Sequence, residues 1–156
     1  MNVRCLVIGY GNPLRGDDGF GWAVADRLAA ELDGDESVRV LSVHQLTPEL
    51  AETISEAEQV IFVDVSRDGN PGTWSVTEVV PAPEGPALGH QFEACGLLAA
   101  AREIYSACPP ALLVSAVAES FDCQETLTSC IEAIVPDVVR DIRNRIGAAK
   151  LDYSHA

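Results

Sequence analysis

The sequence predicts an α/β fold: a three-layer α/β/α sandwich around a mostly parallel five-stranded sheet, with one antiparallel edge strand. Three observations predict it. Short apolar runs at residues 3–9, 38–43, 59–65 and 111–118 read as strands, several of them so continuous that both faces must be covered. Segments whose apolar residues recur with a period of about 3.6 lie between most of these runs. Strands alternating with helices build parallel pairs, with helices on both sides of the sheet.

The first run, broken only by Arg4, ends in Gly9-Tyr10-Gly11-Asn12 and reads as a central strand followed by a glycine-rich turn. A helix is expected from Asp17 to Leu32, with Phe20, Val24, Leu28 and Leu32 on its apolar face and Asp33-Gly34-Asp35 closing it. After the second strand, at 38–43, Thr47 is a good N-cap and Pro48 suits a first helical position, so a helix is expected over 47–57. The third strand, at 59–65, carries Asp64 at its carboxyl end. Residues 73–79 alternate in polarity and follow that strand through a polar turn with no intervening helix, which predicts the antiparallel edge strand. Residues 81–89 hold three prolines and two glycines and form a loop ending at His90. A helix over 92–106, a buried strand over 111–118 and a helix over 125–146, kinked at Pro136, complete the fold. Residues 1–149 are expected to form one domain and 150–156 a disordered tail in which His155 is incidental.

At 156 residues the chain has room for one sizeable core. A formal net charge of −14 argues against nucleic acid or an anionic membrane as a partner and is compatible with a cationic segment or a metal. Five cysteines, an odd number without a Cys-x-x-Cys pair, fit a reducing cytoplasm better than a disulfide framework or a structural zinc site. No signal sequence is evident, and no apolar run reaches the ~18 residues of a membrane span.

Ligands of open α/β sheets bind in the crevice beyond the carboxyl ends of the strands. Asp17 and Asp18 fall at that edge, and an acidic pair there suits a cation. Dinucleotide binding is disfavoured because Leu14 stands where the third glycine of G-x-G-x-x-G would fall, and the acidic pair would repel a pyrophosphate. One of the two aspartates has enough to do in capping free backbone N–H groups. Two, with Asp64 near the same edge, exceed what capping needs. Taken with Asp18 and Asp64, His90 makes a plausible open site for a divalent metal such as nickel or zinc, drawn from three separate elements. His44, beside the end of the second strand, is a competing candidate, retained beside the metal rather than on it. Cys95 lies in an apolar helical run, where burial is expected.

The stretch Gly9-Tyr10-Gly11-Asn12-Pro13-Leu14-Arg15-Gly16-Asp17-Asp18-Gly19-Phe20-Gly21 strongly resembles the opening signature of the hydrogenase maturation endopeptidases, which trim the C-terminal extension from the large subunit of [NiFe] hydrogenases. Phe62-Val63-Asp64, Gly89-His90-Gln91 and Glu119-Ser120-Phe121-Asp122 extend the resemblance over nearly the whole chain. It implies an endopeptidase acting on a large-subunit precursor, with Asp18, Asp64 and His90 as metal ligands and catalytic residues and nickel delivered by the substrate. The first ligand is Glu or Asp in such proteins, and Asp18 has the shorter reach. In place of the Asp-Gly-Gly-Thr-like segment of some members, His44-Gln45-Leu46-Thr47-Pro48-Glu49-Leu50 is similar to the branch serving bidirectional, NAD-linked hydrogenases. Two other classes stay open: a non-enzymatic nickel-binding chaperone, and a Mg²⁺-dependent phosphohydrolase using Asp17, Asp18 and Asp64. The sequence leaves the oligomeric state and the general base open.

Overall fold

The computed structural model describes residues 3–81 and 94–154, with side chains described to residue 148. The strands are β1 (Cys5–Tyr10), β2 (Val38–Val43), β3 (Val60–Ser66), β4 (Trp74–Val79) and β5 (Ala111–Val117), and the helices α1 (Phe20–Glu31), α2 (Leu50–Ser55), α3 (Ala94–Tyr105) and α4 (Ser129–Ser154). They form a five-stranded sheet in the order β2-β1-β3-β5-β4. All pairings are parallel except that of β4 with β5. The short turn after β3 does return the chain as an antiparallel edge strand, but it passes over β3's neighbouring position, which β5 fills.

Alternation along the strands sorts the core into two layers. Cys5, Val7, Ile61, Val63, Val114 and Ala116 meet α1 and α4 through Phe20, Val24, Leu28, Ile131 and Ile142. On the other face Leu6, Ile8, Val60 and Phe62 meet Ile54 of α2 and Leu97 and Leu98 of α3. The three-layer sandwich expected from the sequence is present.

Several boundaries differ from the sequence reading. A 3₁₀ turn over Gly16–Gly19 precedes α1, which begins at Phe20 and not at Asp17. The second helix is short, Leu50–Ser55, with no side-chain cap, because the Thr47 hydroxyl bonds to the Glu49 carboxylate and not to a free helical N–H. The last helix starts at Ser129 and not at 125, since residues 119–128 are used to bridge to the β1–α1 turn. It runs through Pro136 to Ser154, past the end expected at 146. The expected loop 81–89, His90 and the start of the helix expected at 92 lie outside the described residues apart from Pro81, as does His155. None of the five cysteines forms a disulfide, and among the described residues no helix is long and apolar enough to cross a membrane.

The start of α1 lies very close to the sheet. A Cβ on Gly9 would lie 2.0 Å from the Gly21 carbonyl oxygen, and one on Gly21 would lie 2.7 Å from both the Tyr10 nitrogen and the Val63 carbonyl oxygen. Helix α1 therefore rests directly on the backbones of β1 and β3, and only glycine fits. Gly21→Ala should lower unfolding stability by about 3 kcal/mol, read from urea denaturation; an unchanged midpoint would contradict this packing.

Candidate functional site

The adjacent aspartates are assigned by the 3₁₀ turn that carries them. With about three residues per turn, neighbouring side chains diverge by roughly 120°. Asp17 turns into the protein and is 0% exposed. Its Oδ2 accepts the backbone N–H groups of Glu119 at 2.8 Å and Ser120 at 3.1 Å, while Oδ1 accepts that of Thr128 at 2.7 Å. The Thr128 hydroxyl lies 2.8 Å from Oδ2 and 3.0 Å from Oδ1. Burial alone would raise the Asp17 pKa, but the Thr128 N–H and hydroxyl, then the Glu119 and Ser120 N–H groups, hold it below the ordinary carboxylate range. The same seam is closed by the Gly16 N–H on the Gln124 carbonyl at 2.9 Å and the Asp17 N–H on the Ser120 carbonyl at 3.0 Å. Across the seam's outer side, the Arg67 guanidinium stacks 4.4 Å above the Phe121 ring. Capping is thus Asp17's role, directed at the approach to α4 and not at its own helix. A phosphohydrolase site built on Asp17, Asp18 and Asp64 loses its first carboxylate by this arrangement.

Asp18 points the other way. Its Oδ2 accepts the Asn12 N–H at 2.7 Å. Gly11, with φ +139°, passes so close that a Cβ there would lie 2.1 Å from the Asp18 carbonyl oxygen and 3.1 Å from its Oδ1. The Gly11 N–H in turn donates to the Val43 carbonyl at 3.1 Å, so the end of β2 anchors the turn. Asp18 and Asp64 line one cavity of about 840 Å³ at the carboxyl ends of β1 and β3. These strands adjoin at the centre of the sheet, with β2 beyond β1 and β5 beyond β3, which is the position where ligands of open sheets bind.

Asp64 shares its sheet face with Phe62 and pairs with Ser115 of β5. Burial pushes its carboxyl up to about 6; the Val65 N–H opposes the rise, the Asp18 charge adds to it, and a hydrogen bond from Tyr10 opposes it. Among the described residues lining the cavity there is no Lys or Arg, and Glu78 adds a third acid. His44 stands exposed at the rim, its ring edge-on to Trp22 with centroids 5.2 Å apart, and the Trp22 indole N–H donates to the Val43 carbonyl at 3.0 Å. Cys95 is half-buried and also lines the cavity, contrary to the burial expected from its apolar surroundings, because it sits in the first turn of α3.

Among the described residues no three His, Cys, Asp or Glu side chains converge into a complete metal-binding group. Asp18 and Asp64 are brought together; His90 lies outside the described residues. The donor chemistry nonetheless fits a divalent cation: two carboxylates line one cavity, no Lys or Arg stands among its described lining residues, and the Asp18 charge adds to the cost of ionising Asp64.

No protein-family model matches the chain, and neither does any curated protein sequence. Solved structures do. The hydrogenase maturating endopeptidase HybD from E. coli superposes with a TM-score of 0.75 at 23% identity, over 94% of each chain. The chain has the fold of the hydrogenase maturation endopeptidases. The [NiFe] hydrogenase maturation protease HycI from Thermococcus kodakarensis gives a TM-score of 0.74 at 22% identity over 93% of each chain. The hydrogenase 2 maturation peptidase from a Thaumarchaeota archaeon gives 0.69 at 26%, over 92% of this chain and 98% of that one.

The two acids titrate in opposite senses. Asp17→Asn places an amide NH₂ against backbone N–H donors and should cost about 3 kcal/mol or more, with the loss visible as a lowered unfolding midpoint at neutral pH. Asp64 has a folded-state pKa raised from 3.8 to about 6, so in metal-free protein its contribution to stability is greatest below 3.8 and is lost as pH rises through 6. Asp64→Asn should therefore stabilise metal-free protein at pH 7 by on the order of 2 kcal/mol. That gain should shrink as unfolding is followed down to pH 4, and a gain independent of pH would refute the assignment.

Proposed function

We propose that the protein is an endopeptidase that removes the C-terminal extension of a [NiFe] hydrogenase large-subunit precursor after nickel insertion, in the cytoplasm. The observation that carries this reading is the pairing of Asp18 with Asp64 at the central strand ends. Its setting, a fold shared with hydrogenase maturation proteases, supports the same conclusion. His90 is the third ligand on this reading, from the Gly89-His90-Gln91 segment that resembles the family's histidine loop. The His44-Gln45-Leu46-Thr47-Pro48-Glu49 segment supports service to a bidirectional, NAD-linked hydrogenase, and its residues 44–48 line the same cavity as the acids.

The chain's own residues would act as follows. The Asn12 N–H and the Gly11 turn hold Asp18 in one orientation. With its pKa raised to about 6 by burial and by the Asp18 charge, Asp64 is largely ionised near neutral pH and would be available to hold a divalent cation beside Asp18. Two carboxylates and one imidazole leave coordination positions unfilled, which suits a metal whose remaining ligands belong to the precursor. Nickel carried by the precursor would position the scissile segment and polarise its carbonyl. A precursor without nickel brings nothing to bridge the acids and is left uncut.

Incubating the purified protein with nickel-loaded precursor and weighing the large subunit by mass spectrometry tests the reading. Loss of the C-terminal extension is expected from the unaltered protein. Asp18→Ala, Asp64→Ala and His90→Ala should each slow it by about 100-fold or more while circular dichroism stays native. A precursor of unchanged mass would make the protein a nickel chaperone instead.

A further inference from the structure

The mechanism leaves unused a side chain that reaches the acidic pair from the sheet itself. Tyr10 is the last residue of β1, one position beyond the Gly9–Val63 pair, which sets it beside Asp64 on the same sheet face. Its backbone is fixed from two sides: it pairs with Val43 of β2, and its nitrogen lies against Gly21 of α1. Its ring stands edge-on to the fully buried Phe62, with centroids 6.5 Å apart and planes at 87°. Tyr10, Asp64 and Asp18 all line the cavity.

From this placement we infer that Tyr10 is a positioning residue for the metal, its hydroxyl orienting the Asp64 carboxylate so that the remaining lone pairs face Asp18. This rests on the metal reading of the Asp18–Asp64 cavity. An ionised carboxylate offers about four lone-pair sites. The Val65 N–H and the Tyr10 hydroxyl occupy two, both from rigid donors. Without the hydroxyl only the Val65 N–H restrains the carboxylate about its last torsion, and a cation must then finish ordering it on binding. Hydrogen bonds of this kind to a ligating carboxylate typically set metal affinity by ~10–100-fold. Tyrosine at a strand end reads as ordinary amphipathic packing, and its ring does pack so; only the hydroxyl carries the proposed role.

Tyr10→Phe keeps the ring on Phe62 and removes only the donor. Full-length unaltered protein, Tyr10→Phe and Asp64→Asn are titrated with Ni²⁺ alone, and binding is read from paramagnetic broadening of amide resonances, which reaches millimolar dissociation constants. Tyr10→Phe is expected to weaken Ni²⁺ binding by about tenfold or more, with its amide spectrum otherwise that of the unaltered protein. A role limited to packing would leave the affinity unmoved. Unchanged affinity in Tyr10→Phe alongside clear loss in Asp64→Asn overturns the role of Tyr10 alone. Unchanged affinity in both variants, or no broadening in the unaltered protein at millimolar Ni²⁺, overturns the metal reading beneath it.

Discussion

The buried carboxylate of Asp17 is the constraint on which the rest of this architecture depends. It gathers N–H groups from Glu119, Ser120 and Thr128, residues more than a hundred positions along the chain, at a point where water cannot replace any of them. Hydrogen bonds to an ionised acceptor are each worth about 1.5–3 kcal/mol, so several converging on one group outweigh its desolvation. The direction of the Asp17 pKa, below the ordinary carboxylate range, is in keeping with that balance. One side chain thus ties the β1–α1 turn to the approach to α4 and fixes the 3₁₀ turn on which its neighbour sits. Asp18 faces the cavity because Asp17 is held on the other side.

Glycine completes what Asp17 begins. Gly9 and Gly21 let α1 lie against the sheet backbone, and Gly11 lets the chain pass close to Asp18. A glycine-rich turn after a first strand more often cradles phosphate against a helix N-terminus. Here the same tight geometry carries acids in place of amide donors, which inverts the sign of the ligand. Backbone shape and side-chain charge are separate choices, and the acids, with Leu14 in place of a third glycine, distinguish this site from a nucleotide fold.

Much of the fold was legible in the sequence because its signals are local. The β2 boundaries coincide with the apolar run at 38–43, and the edge character of β4 followed from its alternation and from the missing crossover helix. The errors are of one physical kind. Thr47 has the right identity for an N-cap yet bonds to Glu49, and Thr128, inside the helix expected from 125, bonds to Asp17 ahead of α4. In each case a non-local or competing hydrogen bond outweighed a weak local preference. At the site, Asp18 and Asp64 were legible because strand ends of a parallel sheet share one edge. Tyr10 was not, since a strand-end aromatic carries no sign of the hydroxyl's partner until register sets it beside Asp64. Cys95 misled for the converse reason: apolar neighbours on a helix do not reveal which turn borders a cavity.

The acidic pair sits oddly with stability alone. Asp64 is held partly desolvated beside Asp18, with no described Lys or Arg along the cavity to offset either charge. On a chain of net charge −14, long-range repulsion adds to that local cost. A resident structural ion would normally be enclosed by a full set of protein ligands, and a pair kept for stability would have an internal cation. The fold accommodates the pair because the seam around Asp17 and the two apolar layers hold the chain together elsewhere. Under the proposed function a cation from outside would relieve that charge. That relief is the basis of selectivity: a correctly loaded precursor would bring its metal to the strand ends, and a precursor without nickel would leave the repulsion between the acids in place.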